Sequence, residues 1–174
     1  MLIRPRVWLP AVAGIGVVVA LGVYGRLHEP VVTADVGGFL RIQTLKVWLA
    51  TAVAGLLAVQ LLTALAVYGV LPSGSWVSGV HRWTGRLALL LSVPVAVHCL
   101  YTFGLRSDTP RVLAHSVFGC LLYGVFVTKM LLLSRPGESR GWGIPLAGGV
   151  VLVAVAGLWA TSALWFFTTI GTTW

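Results

Sequence analysis

The histidines are the residues of this sequence whose type and spacing could do chemistry, and three of the four lie in residues 81–120. They are His81, His98 and His115, and the last two lie inside apolar runs long enough to cross a membrane. A polar group in hydrocarbon must find a partner, so an intramembrane histidine is by default a functional-site hypothesis. Histidine is a ligand of haem iron in several protein classes. The question is whether His98 and His115 can meet.

These two histidines are predicted to reach similar depth on neighbouring helices. His98 lies six residues before Gly104, which is about 9 Å along a helix, and His115 lies four residues after Arg111, which is about 6 Å. The connection between the two apolar runs is short, so the second helix should run back antiparallel beside the first. We therefore predict one haem b between the helices, with His98 and His115 as its iron ligands.

Several residues near the predicted pair suit a haem. Gly119 follows His115 by four residues, so it lies on the same helix face and leaves room for a flat macrocycle. Arg106 and Arg111 flank the site, and arginine pairs well with the carboxylates of haem propionates. The aromatic residues that could pack on the ring are Tyr101, Phe103 and Phe118.

Other roles for the histidine pair stay open. A lone histidine in a membrane often forms a hydrogen bond between helices. Structural zinc requires four ligands, and the sequence offers no further Cys, His or carboxylate at that depth. A proton relay is also conceivable, although none of the four carboxylates falls within a predicted span.

His81 is predicted to lie at the opposite membrane face. It precedes His98 by 17 residues, about 25 Å along the axis, and it points about 100° away around the helix. With Arg82 it could touch a quinone head group, a propionate or a lipid phosphate. Met130 and Lys129 are predicted at its level, and a second haem with His/Met ligation is an alternative. A homodimer could also complete a second site around His81.

Composition indicates an integral membrane protein. Of the 174 residues 58% are hydrophobic and 9% are charged, whereas soluble domains carry roughly 25% charged residues. The net charge of +8 comes from basic residues at the ends of apolar runs, which argues against nucleic-acid binding. Cys99 and Cys120 are interpreted as small buried residues, because each falls within a predicted span.

Five apolar runs predict an all-α integral membrane protein, a five-helix transmembrane bundle that forms one domain over residues 1–174. Pro94, one turn before His98, should kink the third helix. A polar connection over residues 26–44 separates the first two spans. The predicted spans are residues 7–25, 45–71, 81–104, 111–134 and 144–167.

The basic residues favour a cytoplasmic N-terminus in the plasma membrane, because lysine and arginine are enriched on the cytoplasmic side. Alternate sides of the five-helix topology carry unequal numbers of them. The N-terminal side has Arg4, Arg6, Arg82, Arg86, Lys129, Arg135 and Arg140, and the other side has Arg26, Arg41, Lys46, Arg106 and Arg111.

The stretches HRWTGRLALLLSVPVAVHCLY and HSVFGCLLYGVFVTKM resemble the transmembrane domains of cytochrome b561 and ferric-reductase-like proteins, over about residues 80–134. The resemblance implies haem b held by paired histidines and single-electron transfer in the membrane. The sequence departs from the members that bind two haems, because those have two complete pairs of histidine ligands and this sequence provides only one. The soluble flavin and nicotinamide domain of ferric reductases is also absent from the sequence.

The expected function is therefore electron relay through haem b, with a quinol or a redox protein as partner and no catalytic domain of its own. A six-coordinate iron suits electron transfer better than oxygen activation, because no position is open for a substrate. The alternative is a haem-free structural or assembly subunit of a larger membrane respiratory complex, which the many glycines would suit through close helix packing.

Overall fold

The computed structural model describes residues 8–29, 42–134 and 141–171, and within these ranges the chain is helical and has no strand. Five helical segments are long and apolar enough to cross a membrane, as predicted. The last of them contains a π-helical turn. The elements are α1 (Trp8–Leu27), α2 (Ile42–Val67), α3 (Val77–Thr102), α4 (Pro110–Leu133), α5 (Gly143–Trp159), the π-helical turn Ala160–Leu164 and α6 (Trp165–Thr169).

The α2 helix ends four residues earlier than predicted, because a glycine closes it. Gly69 has a φ of +77°, in the left-handed region. Its N–H donates to the carbonyl of Ala66 at 3.0 Å, and the N–H of Val70 donates to the carbonyl of Leu65 at 2.8 Å. These two bonds form a Schellman motif, which satisfies the last carbonyls of a helix and requires a left-handed residue.

The α3 helix begins at Val77, four residues before its predicted start. His81 therefore lies one turn inside the helix instead of at its first residue. Pro94 lies in the interior of α3, and the helix continues beyond it to Thr102.

The start of α4 follows the rules for helix capping. The Oγ1 atom of Thr109 accepts a hydrogen bond from the N–H of Val112 at 3.3 Å, and Pro110 occupies the first helical position. Proline suits that position because its missing N–H would have had no partner inside the helix. The cap therefore fixes the start of α4 five residues before His115.

The chain divides into two compact units. The first unit contains α1, α4 and α5 as far as Leu158, together with the connection that begins at Phe103. The second contains α2, α3, the π-helical turn and α6. The single domain over residues 1–174 stays a prediction.

In the first unit α1 and α4 pack antiparallel through glycine. Gly14 of α1 faces Gly124 of α4, and a methyl group on Gly14 would lie 2.5 Å from the Gly124 carbonyl oxygen. The hydroxyl of Thr128 lies 3.1 Å from that oxygen and 3.2 Å from the carbonyl of Pro10. Small residues let helix backbones approach this closely, as in many membrane proteins. The crossing fixes the position of α4, which carries His115.

In the second unit α2 and α3 form an antiparallel hairpin. Polar side chains cross the hairpin near the end of α2, and the π-helical turn packs against α2. The indole N–H of Trp159 donates to Oγ1 of Thr51 at 3.1 Å, and the Trp48 and Phe167 rings meet edge to face at 5.7 Å. These contacts hold the C-terminal helix on the hairpin that carries His81 and His98.

Candidate functional site

His98 is a partly exposed residue in the last two turns of α3. The hydroxyl oxygen of Thr102, one turn later, lies 3.4 Å from both ring nitrogens of His98. Because the two distances are equal, this contact does not select which nitrogen carries the proton. Lys46 of α2 lies close enough to His98 and Cys99 to interact with them electrostatically. Lys46 is the fifth residue of α2, so a basic side chain from near the start of that helix lies near this histidine.

His115 lies five residues after the first residue of α4, and Gly119 follows it on the same face. A methyl group on Gly119 would come no closer than 4.0 Å to its nearest neighbour, a methyl of Leu158. A methyl group would therefore fit at Gly119 in ordinary contact with Leu158, and room for a macrocycle beside His115 stays a prediction. The Phe118 ring packs on the backbone of Gly157, where an added methyl group would lie 2.5 Å from it, and its contact with a macrocycle stays a prediction.

The predicted ligands belong to different units, His98 to the second and His115 to the first, so their pairing stays a prediction. Tyr101 is 49% exposed and Phe103 is 40% exposed, so both rings present surface that a ligand or lipid can cover. His28, which was not predicted as a ligand, stacks on the Tyr24 ring with centroids 5.0 Å apart.

Arg106 is engaged by an acid that the sequence alone did not pair with it. Its Nε atom donates to Oδ2 of Asp108 at 2.6 Å, and this hydrogen bond is the main reason that the pKa of Asp108 lies below its usual value. The backbone of Arg106 is also held by Ser116, whose hydroxyl donates to the Arg106 carbonyl at 3.1 Å. Arg111 is partly buried and lies in the first turn of α4.

His81 has partners on α2 that were not predicted from the sequence. Oγ1 of Thr63 lies 2.8 Å from His81 Nδ1. The side-chain amide of Gln60 donates to the backbone carbonyl of His81 and, at 2.6 Å, to Oγ1 of Thr84. We call these four residues the His81 cluster.

Gly85 contributes to this cluster by leaving room for the Gln60 amide. It follows His81 by four residues, the same spacing that separates Gly119 from His115. A methyl group on Gly85 would lie 3.2 Å from the amide oxygen of Gln60, so its missing side chain makes room for that amide rather than for a macrocycle. A signal for the cluster does exist in the sequence. Gln60 and Thr63 are polar, three residues apart in an apolar run, and therefore on one helix face.

Among the described residues no group of three or more His, Cys, Asp or Glu side chains lies together as a metal site would require. A haem iron takes only two ligands from the protein, so the predicted pair does not need such a group.

The fold and the site define a class of all-helical proteins in which five helices are long and apolar enough to span a membrane and in which histidines lie on the third and fourth helices. The chain belongs to a family of unknown function (DUF6529), whose sequence pattern matches residues 7–174. No curated protein and no solved structure matches the chain.

Proposed function

We propose that this chain is a multi-pass membrane haem b protein that relays single electrons, with His98 and His115 as the axial ligands. The observation that carries the proposal is how far each histidine lies from the end of its own helix that adjoins the α3–α4 connection. His98 lies four residues before the last residue of α3, and His115 lies five residues after the first residue of α4. These separations correspond to about 6 Å and about 7.5 Å along the helix axes.

The residues near each ligand support the same proposal. Gly119 lies one turn after His115 on the same helix face, and the absence of a side chain there is compatible with a flat group beside the histidine. Lys46, near the start of α2, lies close to His98, and Arg111 lies four residues before His115 at the start of α4. Both cations are natural partners for propionate groups. Arg106 donates from Nε to Asp108, and its guanidinium group has four further N–H donors, so it stays a proposed propionate partner.

When bound, haem supplies one-electron oxidation and reduction at its iron. The protein's part is to orient the two imidazoles, exclude water and balance the propionate charge. Because His98 and His115 would both hold the iron, the site would pass electrons without binding a substrate there. The electron donor would be a quinol or a redox protein. The chain itself would act as part of a larger complex or of a homodimer.

The proposal includes insertion in the plasma membrane with a cytoplasmic N-terminus. Trp76 and Trp83 are exposed near the start of α3, together with Arg82 and Arg86. Tryptophan and basic residues are enriched at membrane interfaces, and basic residues favour the cytoplasmic side. Of the other basic residues counted for orientation, Arg4, Arg6, Arg41, Arg135 and Arg140 lie outside the described residues.

A haem-free structural or assembly subunit is the second candidate, and the exposed surface of the helices favours it. Between 6% and 17% of the residues in each apolar window are buried within the chain. Most of the apolar surface is therefore available to lipid or to partner subunits. This candidate predicts a colourless protein that tolerates substitution of both histidines.

The reduced-minus-oxidised visible spectrum of the purified protein, produced in cells supplied with haem, decides between the two candidates. We expect the bands of low-spin haem b. We expect both His98→Ala and His115→Ala to lose them, because each removes one of two axial ligands. His28→Ala is the matched control and should keep the spectrum, since His28 stacks on Tyr24 at the end of α1.

A colourless wild-type protein would refute the haem proposal. Retention of the low-spin spectrum by either ligand variant would refute that ligand's assignment. The ratio of haem to protein, measured on the same samples, distinguishes one haem from two.

A further inference from the structure

The first turns of α3 present an exposed surface that is both basic and aromatic. Arg82, Trp83 and Arg86 are exposed, and the exposed fraction of Trp83 is 69%. Residues three or four positions apart are neighbours on a helix, so Arg86 lies beside both Arg82 and Trp83. We call these three residues the arginine surface.

The arginine surface lies away from α2, the hairpin partner of α3. Oγ1 of Thr63 in α2 contacts Nδ1 of His81, and the amide of Gln60 donates to Oγ1 of Thr84. Successive helical residues turn by about 100° around the axis, which places the arginine surface at about 100° to 200° from His81. The contacts that hold the hairpin together therefore do not use this surface.

Within the surface, Trp83 restrains the side chain of Arg86. The guanidinium carbon of Arg86 lies 5.1 Å from the centre of the Trp83 ring. A cation at this distance over an aromatic ring is attracted by the negative face of the ring. The ring has no oxygen atom to accept from the N–H groups of the guanidinium. Arg86 is therefore held in place while its hydrogen-bond donors face solvent or a ligand.

The described part of the second unit provides no carboxylate for these two arginines. Among the described residues, none forms an ion pair or a side-chain hydrogen bond with Arg82 or Arg86. The described residues of this unit, 42–102 and 159–171, include no Asp or Glu. Two permanent positive charges on one helix face therefore favour an anion from outside the described part of the unit.

The level of the arginine surface along α3 is that of a membrane interface. The helix begins at Val77, so Arg82 and Arg86 lie about 7.5 Å and about 13.5 Å along its axis. Helical side chains lean towards the N-terminus, and long basic side chains extend to the interface while their stems stay in apolar surroundings. Trp76, which directly precedes the helix, is 68% exposed, and tryptophan is enriched at that boundary. In a membrane the anion nearest to these arginines is therefore the phosphate of a lipid head group.

Apolar side chains continue the surface towards the middle of α3. Leu87 follows Trp83 by four residues and Leu90 follows Arg86 by four, so both leucines lie on the same side of the helix as the arginine surface. Both leucines are exposed. A molecule with an anionic head and apolar chains matches this order of basic and apolar residues, whereas a free phosphate ion would contact the arginines alone.

From this arrangement we propose that the arginine surface binds an anionic phospholipid, with its phosphate on Arg82 and Arg86 and its acyl chains along Leu87 and Leu90. A planar guanidinium group binds two phosphate oxygens at once, which suits arginine to this ligand. A choline head group carries its own cation, which the two arginines repel, so the site favours a lipid of net negative charge. The inference rests on the proposed insertion in a membrane and not on haem, because none of these residues is a proposed iron ligand.

Native mass spectrometry of the full-length chain in a neutral detergent tests the site, because it counts the lipid molecules bound to each protein. The protein is titrated with phosphatidylglycerol or with phosphatidylcholine of the same acyl chains. We expect the first phosphatidylglycerol to bind more tightly than the first phosphatidylcholine. A basic residue near a membrane surface strengthens attraction to anionic lipid by about fivefold, so Arg82→Gln and Arg86→Gln should each weaken phosphatidylglycerol binding by about that factor.

Arg26→Gln is the matched control, because it removes the same charge from an exposed arginine at the end of α1. It should leave the binding of phosphatidylglycerol unchanged. An equal loss in Arg26→Gln, or equal affinity of the wild-type chain for the two lipids, would overturn the proposal. The wild-type comparison decides the point even where a variant does not fold.

Inorganic phosphate distinguishes a lipid site from a site for the free ion. An excess of inorganic phosphate should not displace phosphatidylglycerol, since the ion has no acyl chains to contact Leu87 and Leu90. Displacement would identify a phosphate-ion site and overturn the proposal. A colourless chain that binds phosphatidylglycerol as expected would refute the haem proposal and support this one. A chain that stays soluble without detergent would overturn both membrane insertion and the lipid site.

Discussion

Replacement of Gly14 by Ala tests the contact that positions α4. The new methyl group would lie 2.5 Å from the carbonyl oxygen of Gly124 and closer still to Oγ1 of Thr128. One of these neighbours is backbone, which no side-chain rotation can move away. The two helices must therefore separate, and overpacking of this kind costs about 1–3 kcal/mol, occasionally more.

Gly16→Ala is the matched control, because Gly16 lies in the same helix and a methyl group added there would have no neighbouring atom within 4 Å. Both substitutions gain about 0.5–1 kcal/mol from the better helix propensity of alanine. That gain cancels in the comparison. The free energy of unfolding of Gly14→Ala should therefore lie below that of Gly16→Ala by the overpacking cost, about 1–3 kcal/mol.

Denaturant unfolding of the detergent-solubilised protein, followed by helical circular dichroism, measures this difference. Thr128→Ala in the Gly14→Ala background should recover only part of the loss, because the Gly124 carbonyl stays in place. Equal stability of the two alanine variants would refute the close α1–α4 crossing. Full recovery by Thr128→Ala would show that backbone contact contributes little.

Two further predictions concern single residues. Gly104 and Gly69 both have left-handed φ values, of +62° and +77°, so alanine at either costs about 1–2 kcal/mol in unfolding free energy. A methyl group on Gly104 would also lie 2.5 Å from the carbonyl oxygen of Gly25. The free energy of unfolding should therefore fall by about 1–3 kcal/mol more in Gly104→Ala than in Gly69→Ala in the same assay. Equal losses in the two variants would contradict this prediction. Thr102→Val should weaken haem affinity by roughly 10–100-fold, as loss of an orienting partner does at metal sites. A titration of the apo-protein with haem measures this affinity. An unchanged affinity in Thr102→Val, or an equal loss in Thr63→Val, would contradict the prediction.

The sequence predicts the helices well because the signal is strong and local. Apolar runs alternate with polar segments that contain proline and glycine, and each run became a helix at nearly the expected place. The errors lie at the ends. Hydrophobicity continues through Val70 and Leu71, whereas the helix ends where Gly69 adopts a left-handed conformation. Backbone conformation, which hydrophobicity does not report, decides that boundary.

Partners across a helix pair are harder to predict than the helices themselves. His81 was expected at the first residue of a span, at the level of Met130 and Lys129, and that level stays a prediction because the two residues belong to the other unit. It lies one turn inside α3, and its observed partners Thr63 and Gln60 come from α2. Which residues meet depends on where the turn between the two helices lies in the sequence. Both helix ends lie four residues earlier than predicted, so each α2 residue faces an α3 residue about eight positions, or about 12 Å, away from the expected one.

The two histidines of α3 differ in their contacts with threonine. Oγ1 of Thr63 lies 2.8 Å from Nδ1 of His81, which is one particular nitrogen of that ring. Oγ1 of Thr102 lies 3.4 Å from both nitrogens of His98, so this contact does not select which of them carries the proton. An iron ligand is held by the metal on one nitrogen and by an orienting partner on the other. If His98 holds the iron, as we propose, Thr102 is therefore placed to become the orienting partner of its second nitrogen.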